Sequence, residues 1–367
     1  MNDPWKPSWE ATAVYRARVR GCLLGGALGD ALGYPVEFSS LDTIRATHGP
    51  RGVTGLVPDA DGVTGRISDD TQMTLFTVEG IRQAAERERL KGIGGGWSHL
   101  LRQAYARWLE TQLKPGPEPS DPAHPTGSPH EGPRGGLVSE PWLYARRAPG
   151  NACLSGLAHD FVPEPWTELG PPGPVNPDSK GCGAVMRSAP FGLARTDAGS
   201  AFGLAARCAQ MTHGHPTGYY AAGALAAIVS HIVTGDSVEG AVLRTLRLLA
   251  HHPGHDETTT ALTRALDLAA DGDGTPEKLE RLGAGWIAEE ALAIGVYSAL
   301  AAPRVEDALL LAVNHSGDSD STGSICGNIL GARYGDHGLP HGWVERVEGR
   351  DRIAALADDL AAECGRG

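Results

Sequence analysis

Residues 21–33 read GCLLGGALGDALG and carry glycine at every fourth position, at 21, 25, 29 and 33. A second stretch, GSICGNILGARYG at residues 323–335, repeats the same spacing. Glycines spaced by four strip one face of a helix of side chains, so that another backbone can approach it closely. Because glycine costs about 0.5–1 kcal/mol per helix position relative to alanine, two such stripes need a reason in packing or ligand binding. We therefore predict two central helices in close contact.

Helical patterning extends outward from these two stretches over most of the chain. Alanine and leucine recur at three- and four-residue spacing, which is typical of helices with one buried face. The pattern predicts helices at residues 16–33, 71–89, 97–112, 201–211, 217–233, 238–250, 258–270, 286–301, 305–314, 322–334 and 351–364. Alternating β-branched segments are scarce. We therefore predict an all-α or nearly all-α fold.

Two proline-rich segments interrupt the helical pattern. Residues 113–137, LKPGPEPSDPAHPTGSPHEGPRGGL, have a composition that supports neither a helix nor a packed core. Residues 162–177 form a second, shorter segment of this kind. We interpret residues 113–137 as a surface insertion within one domain of residues 1–367. A linker between two domains is the less favoured reading, because acidic clusters that would have to cooperate lie on both sides of it.

The composition indicates a globular protein with excess negative charge. Of the 367 residues, 41% are hydrophobic and 21% are charged, and the formal net charge is −12. This charge argues against a nucleic-acid backbone or an anionic membrane as the main partner. The six cysteines show no paired spacing, the N-terminal residues lack the apolar core of a signal peptide, and no apolar run reaches membrane-spanning length. We expect a cytoplasmic protein.

Two short acidic clusters lie far apart in the chain, and each stands where a predicted helix begins. The first is SDDT at residues 68–71 and the second is DSDS at residues 318–321. Serine and acidic side chains at such positions satisfy free N–H groups and the helix dipole, so helix capping explains the first cluster taken alone. The second cluster has the same explanation, but the density of small oxygen-bearing residues around it resembles a ligand loop more than a cap. The same carboxylates and hydroxyls are hard oxygen ligands of the kind that Mg²⁺ or Mn²⁺ prefers. Capping and metal coordination are compatible, and both interpretations remain open at this point.

Two further acids follow the first glycine stripe. Asp30 lies among small apolar residues and would be costly to bury without a partner. Glu37 follows a turn that contains Pro35, a position from which a side chain commonly faces a cleft. An ordinary surface acid explains Glu37 about equally well from the residues alone.

Three features beside the predicted helices suggest ligand contacts. The glycine-flanked turn GCGAVMRS at residues 181–188 can present backbone N–H groups to a phosphate, and its Cys182 is more readily a packed thiol than a nucleophile. His213 precedes a long apolar helix that should line the core. Trp286, predicted to open a helix, is either core or a stacking surface for a base.

Taken together, the ordered motifs resemble those of the ADP-ribosylglycohydrolase family. The matching segments are GCLLGGALGDALGYPVEF, SDDTQM, GCGAVMRSAP, THGHP, GAGWIAEEAL and NHSGDSDSTGSICGNILGARYG, in that order from about residue 17 to residue 335. Each segment alone is modest, whereas the ordered set is specific. The resemblance implies a compact, orthogonal all-α helical bundle with a central cleft that binds two Mg²⁺ or Mn²⁺ ions.

The resemblance also implies roles for individual residues. The metal ligands would be Ser68, Asp69, Asp70, Asp318, Asp320 and Ser321. The catalytic acids would be Glu37, at the position associated with catalysis and with gating of the metal site, and Asp320. The substrate-binding residues would be Asn151, Ser179, Gly181, Cys182, Gly183, Met186, His213 and Trp286, the last as a neighbour of the adenine. Cys182 departs from the family pattern, since many relatives carry asparagine there.

The function that the resemblance implies is hydrolysis of the glycosidic bond between ADP-ribose and a modified acceptor. Arginine on a protein is the preferred acceptor, and serine, O-acetyl-ADP-ribose and nucleic-acid-linked ADP-ribose are alternatives. A non-catalytic ADP-ribose-binding or immunity protein is a second class, for which residues 113–137 would be the candidate blocking element. A metal-dependent phosphoesterase shares the ligand chemistry but does not account for the glycine-rich turn together with His213. We expect a monomer whose partner is an ADP-ribosylated protein.

Overall fold

Helices form the regular structure of the computed structural model, which describes residues 9–92, 94–118, 136–194 and 197–365. Those residues contain fifteen α-helices: α1 (Trp9–Gly33), α2 (Leu41–His48), α3 (Asp69–Lys91), α4 (Trp97–Leu113), α5 (Asn151–Leu157), α6 (Ala198–Ala209), α7 (Pro216–Val233), α8 (Val238–Leu249), α9 (Asp256–Ala270), α10 (Pro276–Leu279), α11 (Ala288–Ala301), α12 (Val305–Val313), α13 (Ser319–Tyr334), α14 (His341–Val344) and α15 (Arg350–Cys364). Over the same ranges the only β-type pairings are two isolated bridges, Pro58 with Thr64 and Gly181 with Ile287. The predicted all-α fold is confirmed.

The two glycine stripes meet at the centre of the molecule, as the sequence predicts. The glycines in contact are Gly21 with Gly331, Gly25 with Gly327 and Gly29 with Gly323. Residue numbers rise along α1 as they fall along α13, so the two helices are antiparallel. A Cβ on Gly29 would stand only 1.9 Å from the carbonyl oxygen of Gly323, a separation that no side chain tolerates. The glycines are therefore required by the close approach of the two backbones.

The remaining helices surround this pair. Helix α3 packs against α4 and α15, α7 against α6 and α8, and α11 against α9, α12 and α13. Helix α7 is almost entirely buried, in agreement with the prediction of a core helix after His213. Because α1 and α13 are antiparallel, the end of α1 lies beside the beginning of α13. The acids that follow α1 are thereby brought to the acidic cluster that begins α13.

The structure differs from the predicted helices near the site: α2 and α5 were not predicted, and α11 begins later than predicted. Helix α2 was not predicted, because its eight residues bury only Leu41 and Ile44 and are too few to show a periodic pattern. Its signal is the cap: the Ser40 hydroxyl accepts a hydrogen bond from the backbone of Thr43. The prediction that Trp286 opens a helix is wrong. Helix α11 begins at Ala288, because the segment before it is extended and hydrogen-bonds to the turn at Cys182.

Two further sequence predictions concern the proline-rich insertion and the absence of a membrane-spanning segment. Residues 119–135 of the predicted insertion lie outside the described residues. Among the residues that are described, no helix is long and apolar enough to cross a membrane.

Candidate active site

The junction of α1 and α13 builds one wall of the site. A Cβ on Gly33, the last residue of α1, would stand 2.2 Å from the carbonyl oxygen of Ser319. Glu37, four residues beyond that point, therefore lies beside the second acidic cluster. Oxygen atoms of Glu37, Asp318 and Asp320 all lie within 4.8 Å of one another. Three carboxyl groups at this spacing can share one cation.

Asp30 links this wall to the first acidic cluster. Its carboxylate accepts hydrogen bonds from the backbone N–H of Ser68 at 2.9 Å, from the backbone N–H of Thr71 at 3.1 Å and from the Thr71 hydroxyl at 2.5 Å. Asp30 is fully buried, and these partners offset the cost of its burial. Since the Ser68 hydroxyl accepts a bond from the Asp70 N–H, Asp30 and Ser68 cap α3 together. Capping therefore does not require the carboxylates of Asp69 and Asp70.

The two clusters open into one cavity of about 650 Å³. Its lining includes the predicted residues Glu37, Asp69, Asp70, Asn151, Gly181, Cys182, Gly183, Met186, His213, Trp286, Asp318, Asp320 and Ser321. Two predicted residues are not part of this lining. Ser68 is fully buried, and its hydroxyl caps α3 and contacts the carboxyl of Asp320. Ser179 lies two residues before Gly181, and its carbonyl accepts a hydrogen bond from the N–H of His215. The cavity thus brings together residues from segments that are far apart in the sequence.

The carboxyl groups of the cavity repel one another strongly. Burial, followed by the charges of Asp320 and Asp318, raises the pKa of Glu37 to about 11. Burial and the charge of Asp320 likewise raise the pKa of Asp69, Asp70 and Asp318 well above the ordinary range. Carboxyl groups crowded in this way remain ionised together only beside compensating positive charge.

Two oxygen atoms show that these acids fit a metal ion. Oδ2 of Asp70 and Oδ2 of Asp318 are buried without a hydrogen-bond partner. A buried polar atom without a partner is costly, and such atoms usually mark a bound ion, a water or a catalytic role. Both belong to residues that line the cavity. The donor set, with its carboxylate and hydroxyl oxygens, matches the preference of Mg²⁺ and Mn²⁺.

The glycine-rich turn forms a further part of the wall, beside the second acidic cluster. The N–H of Cys182 donates to the carbonyl of Trp286 at 3.1 Å, and the N–H of Ala288 donates to the carbonyl of Lys180 at 2.8 Å. A Cβ on Gly183 would stand 2.6 Å from Sγ of Cys153, so only glycine fits there. Burial and the neighbouring Asp318 raise the pKa of the Cys182 thiol well above its usual range. Cys182 is therefore a protonated, half-buried thiol, and a thiolate nucleophile is disfavoured.

The mouth of the cavity carries an aromatic pair. The rings of Phe38 and Trp286 stack with centroids 5.1 Å apart, and both side chains are exposed. Phe38 was not predicted from the sequence; its only signal is that it follows Glu37. Phe38 and Ala148, which also line the cavity, are non-glycine residues with positive φ of 65° and 51°. Backbone strain of this kind concentrates at functional sites.

Two further groups were missed by the sequence analysis. Arg146 lines the cavity and is a cation in an otherwise acidic site. Asp30, suspected only of needing a partner, proves to be a cap supplied by one central helix to α3. Neither role is visible in a local motif, because each depends on contacts between distant segments.

By its fold and its site, this is an all-α protein with an acid-lined cavity, at its helix ends, that could bind a metal ion. The particular family follows from comparison with known proteins. The ADP-ribosylglycohydrolase family model matches residues 11–367, and the chain belongs to this family. Its members hydrolyse ADP-ribose linkages, and the predicted enzyme class is confirmed.

Individual relatives are similar over nearly their whole length but share few identical residues. The ADP-ribosyl-[dinitrogen reductase] glycohydrolase of Rhodospirillum rubrum is 24% identical over 90% of each chain. The ADP-ribosylarginine hydrolase Tri1 of Serratia proteamaculans is 23% identical over 94% of this chain and 78% of its own. A solved structure described as an ADP-ribosylglycohydrolase-related protein complex has a TM-score of 0.63 and 22% identity, and the match covers 96% of this chain and 99% of that one. At this identity the structural match supports the fold alone.

Proposed function

We propose that this protein hydrolyses the glycosidic bond between ADP-ribose and an arginine side chain of a modified protein, with the help of divalent metal ions. The name of one relative, a glycohydrolase for ADP-ribosylated dinitrogen reductase, supports a modified protein as the substrate, and the name of another, an ADP-ribosylarginine hydrolase, supports arginine as the acceptor. Both relatives are less than 25% identical to this chain, so arginine as the acceptor is part of the proposal.

One observation carries the proposal more than any other. Acids at the beginnings of α3 and α13 meet Glu37 around a single cavity, although capping of α3 is already provided by Asp30 and Ser68. A purely structural role would not require Asp70 and Asp318 each to bury an oxygen without a partner. Selection for a charged ligand or metal explains this arrangement.

The residues that would hold two Mg²⁺ or Mn²⁺ ions are those of the two helix ends: Ser68, Asp69, Asp70, Asp318, Asp320 and Ser321. Their carboxylates supply hard ligands, and the positive ends of α3 and α13 favour the ionised form of those acids. When bound, such ions supply Lewis-acid stabilisation of substrate oxygens and a more acidic water.

The chain's own residues supply the remaining requirements. Cleavage at C1″ of the ribose passes through an oxocarbenium-like transition state, which a nearby carboxylate stabilises. Glu37 faces the cavity from the end of α1, where it can accept a proton from the attacking water, and Asp320 lies within reach of it. The turn at Gly181–Gly183 carries two glycines, so the backbone can approach the diphosphate closely. Trp286 offers an exposed ring beside the same turn as a surface for adenine.

The proposal includes the domain organisation. We infer one catalytic domain over residues 1–367, supported by the family match over residues 11–367 and by a cavity whose walls come from both halves of the chain. Residues 113–137 would then be an insertion within that domain. A monomeric state and a cytoplasmic location remain predictions.

A substrate panel tests the function. The purified protein would be incubated with arginine-, serine- and DNA-linked ADP-ribose and with O-acetyl-ADP-ribose, in Mg²⁺ and in EDTA, and released ADP-ribose would be measured. We expect release from the arginine linkage only, in Mg²⁺ only. Asp320→Asn, which keeps the size of the side chain, serves as the inactive control. Release from another linkage would show that the acceptor is not arginine. Tight ADP-ribose binding without any release would favour a non-catalytic binding protein.

A further inference from the structure

Arg187 carries a positive charge in the core of the protein, with only 1% of its surface exposed. None of the described acidic residues forms an ion pair with it. Its guanidinium lies 4.6 Å from the centre of the Tyr105 ring, a cation–π contact. A buried charge is costly unless it is paired, and a core arginine is normally paired with a carboxylate. Fold stability is therefore a poor explanation of this residue.

The contacts of Arg187 point toward the cavity. Nη1 donates to the carbonyl of Gly183 at 3.0 Å and lies 3.5 Å from Sγ of Cys153, while Nη2 donates to the hydroxyl of Thr212 at 2.7 Å. Gly183 lines the cavity, Cys153 belongs to helix α5, and Thr212 precedes His213. One planar group with donors in a fixed geometry thus joins three separate segments of the cavity wall.

The contact with Thr212 bears on where His213 carries its proton. A guanidinium only donates, so the Thr212 oxygen accepts from Arg187 and keeps one proton to donate and one lone pair to accept. Nδ1 of His213 lies 2.8 Å from that oxygen, whereas the Ala209 carbonyl lies 3.3 Å away. The shorter contact favours donation of the hydroxyl proton to Nδ1, which leaves the ring proton on Nε2.

The other side of the imidazole, with Nε2, faces the cavity. His213 lines the cavity, and its Nε2 lies 3.4 Å from the position of a Cβ on Gly181 and on Gly183. Burial, followed by the charge of Arg187, lowers the pKa of His213 to about 3, so the ring is neutral near pH 7. A neutral histidine with its proton on Nε2 is a hydrogen-bond donor to an anion or a hydroxyl, whereas the other tautomer is an acceptor.

We propose that Arg187 is a positioning residue for ADP-ribose: it holds the turn at Gly181–Gly183 and, through Thr212, keeps the His213 proton on Nε2 as a donor to the ligand. This inference rests on the proposed function, because it assumes that ADP-ribose occupies the cavity. It adds to that function a residue that does not itself line the cavity.

The first test replaces Arg187 with methionine, which has a similar length and no charge. Removal of an unpaired buried charge also removes its desolvation cost, which offsets the hydrogen bonds lost at Gly183 and Thr212. We therefore expect Arg187→Met to melt within a few degrees of the wild type but to bind ADP-ribose in saturating Mg²⁺ at least about tenfold more weakly, as measured by calorimetry. Wild-type affinity in Arg187→Met would overturn the proposal. Val242→Ala, a cavity-creating change in α8 remote from the site, controls for destabilisation by itself.

The second test keeps Arg187 and removes only the Thr212 hydroxyl, through which Arg187 acts on His213. Thr212→Val removes the hydroxyl with little change in shape, and Thr212→Ser restores it. We expect Thr212→Val to weaken ADP-ribose binding several-fold and Thr212→Ser to recover most of the loss. This pair decides the question if Arg187→Met does not fold. Equal ADP-ribose affinity of the valine and serine variants would contradict a role for the Thr212 hydroxyl in positioning His213.

A spectroscopic measurement separates positioning from general structural support. Long-range ¹H–¹⁵N correlation of the His213 ring reports which nitrogen carries the proton, in the absence of any ligand. We expect the Nε2–H form in the wild type and a loss of that preference in Thr212→Val. An Nε2–H ring in both proteins would refute the proposal. A wild type that shows the expected tautomer but binds no ADP-ribose would instead contradict the proposed function.

Discussion

Asp320 is the electrostatic centre of the cavity. Its charge contributes to the raised pKa of each of the other buried acids, Asp30, Glu37, Asp69, Asp70 and Asp318. The acid at position 320, at the beginning of α13, therefore limits how much negative charge the cavity can hold.

Replacing Asp320 with alanine tests this role. We expect hydrolysis to fall by at least about 10³-fold and Mg²⁺ binding to weaken, because a ligand and a catalytic acid are lost together. In EDTA the variant should melt no lower than the wild type, because a source of like-charge repulsion has been removed. Rates and Mg²⁺ titrations check the first part, and thermal unfolding checks the second. Full activity with unchanged Mg²⁺ dependence would refute the site assignment.

The raised pKa of Glu37 predicts that the stability of the metal-free protein depends on pH. Its folded-state pKa of about 11, raised by burial and by Asp320 and Asp318, compares with about 4.3 in an unfolded chain. Between these values the folded state holds a proton that the unfolded state has released. The stability contributed by protonated Glu37 is therefore complete below about pH 4 and declines as pH rises, by up to about 1.4 kcal/mol per pH unit.

The measurement compares the wild type with Glu37→Gln, which mimics the protonated acid. Urea unfolding would be measured in EDTA between about pH 6.5 and 8, and the titration of unfolded histidines and thiols, which both proteins share, cancels in the comparison. We expect the free energy of unfolding of the wild type to fall more steeply with pH than that of Glu37→Gln. Parallel curves would show that Glu37 is ionised in the metal-free fold.

At the level of elements, the α1–α13 contact depends on the absence of side chains. A Cβ on Gly29 would stand 1.9 Å from the Gly323 carbonyl oxygen, so Gly29→Ala must push the helices apart. We expect a loss of about 1–3 kcal/mol or more in the free energy of unfolding, with reduced activity because Asp30 and Asp320 separate. Gly342→Ala in α14 meets no atom within 4 Å and should be neutral or slightly stabilising. Equal effects in urea unfolding would contradict the packing argument.

The elements also show which sequence signals are dependable. The long helices were predictable because alanine and leucine repeat over many turns, and the beginning of α3 was visible in its serine and acids. Helix α2 was too short to show a period, and the start of α11 is set by a hydrogen bond to Cys182 rather than by its own residues. Local propensity therefore predicts an element well only where no distant contact overrides it.

For the whole molecule, the cavity couples ligand binding to folding. Its walls come from segments between Glu37 and Ser321, so an unfolded chain has no equivalent site. ADP-ribose with Mg²⁺ at about 100 times its dissociation constant should stabilise the fold by about 2.7 kcal/mol and raise the melting temperature by several degrees. The same nucleotide in EDTA should give a smaller shift. Equal shifts in Mg²⁺ and EDTA would argue that metal does not contribute to binding.

The sequence by itself determined the long helices, the close contact of the two glycine stripes and the identity of the acids, because each depends on residue type and local spacing. Only the tertiary structure shows that Asp69 and Asp70 are not needed as caps. Asp30 reaches α3 from another helix and takes over its capping, so Asp69 and Asp70 face the cavity. The role of Arg187 likewise emerges only where three distant segments meet. Burial and the loss of hydrogen-bond partners arise from packing between segments, which local sequence does not encode.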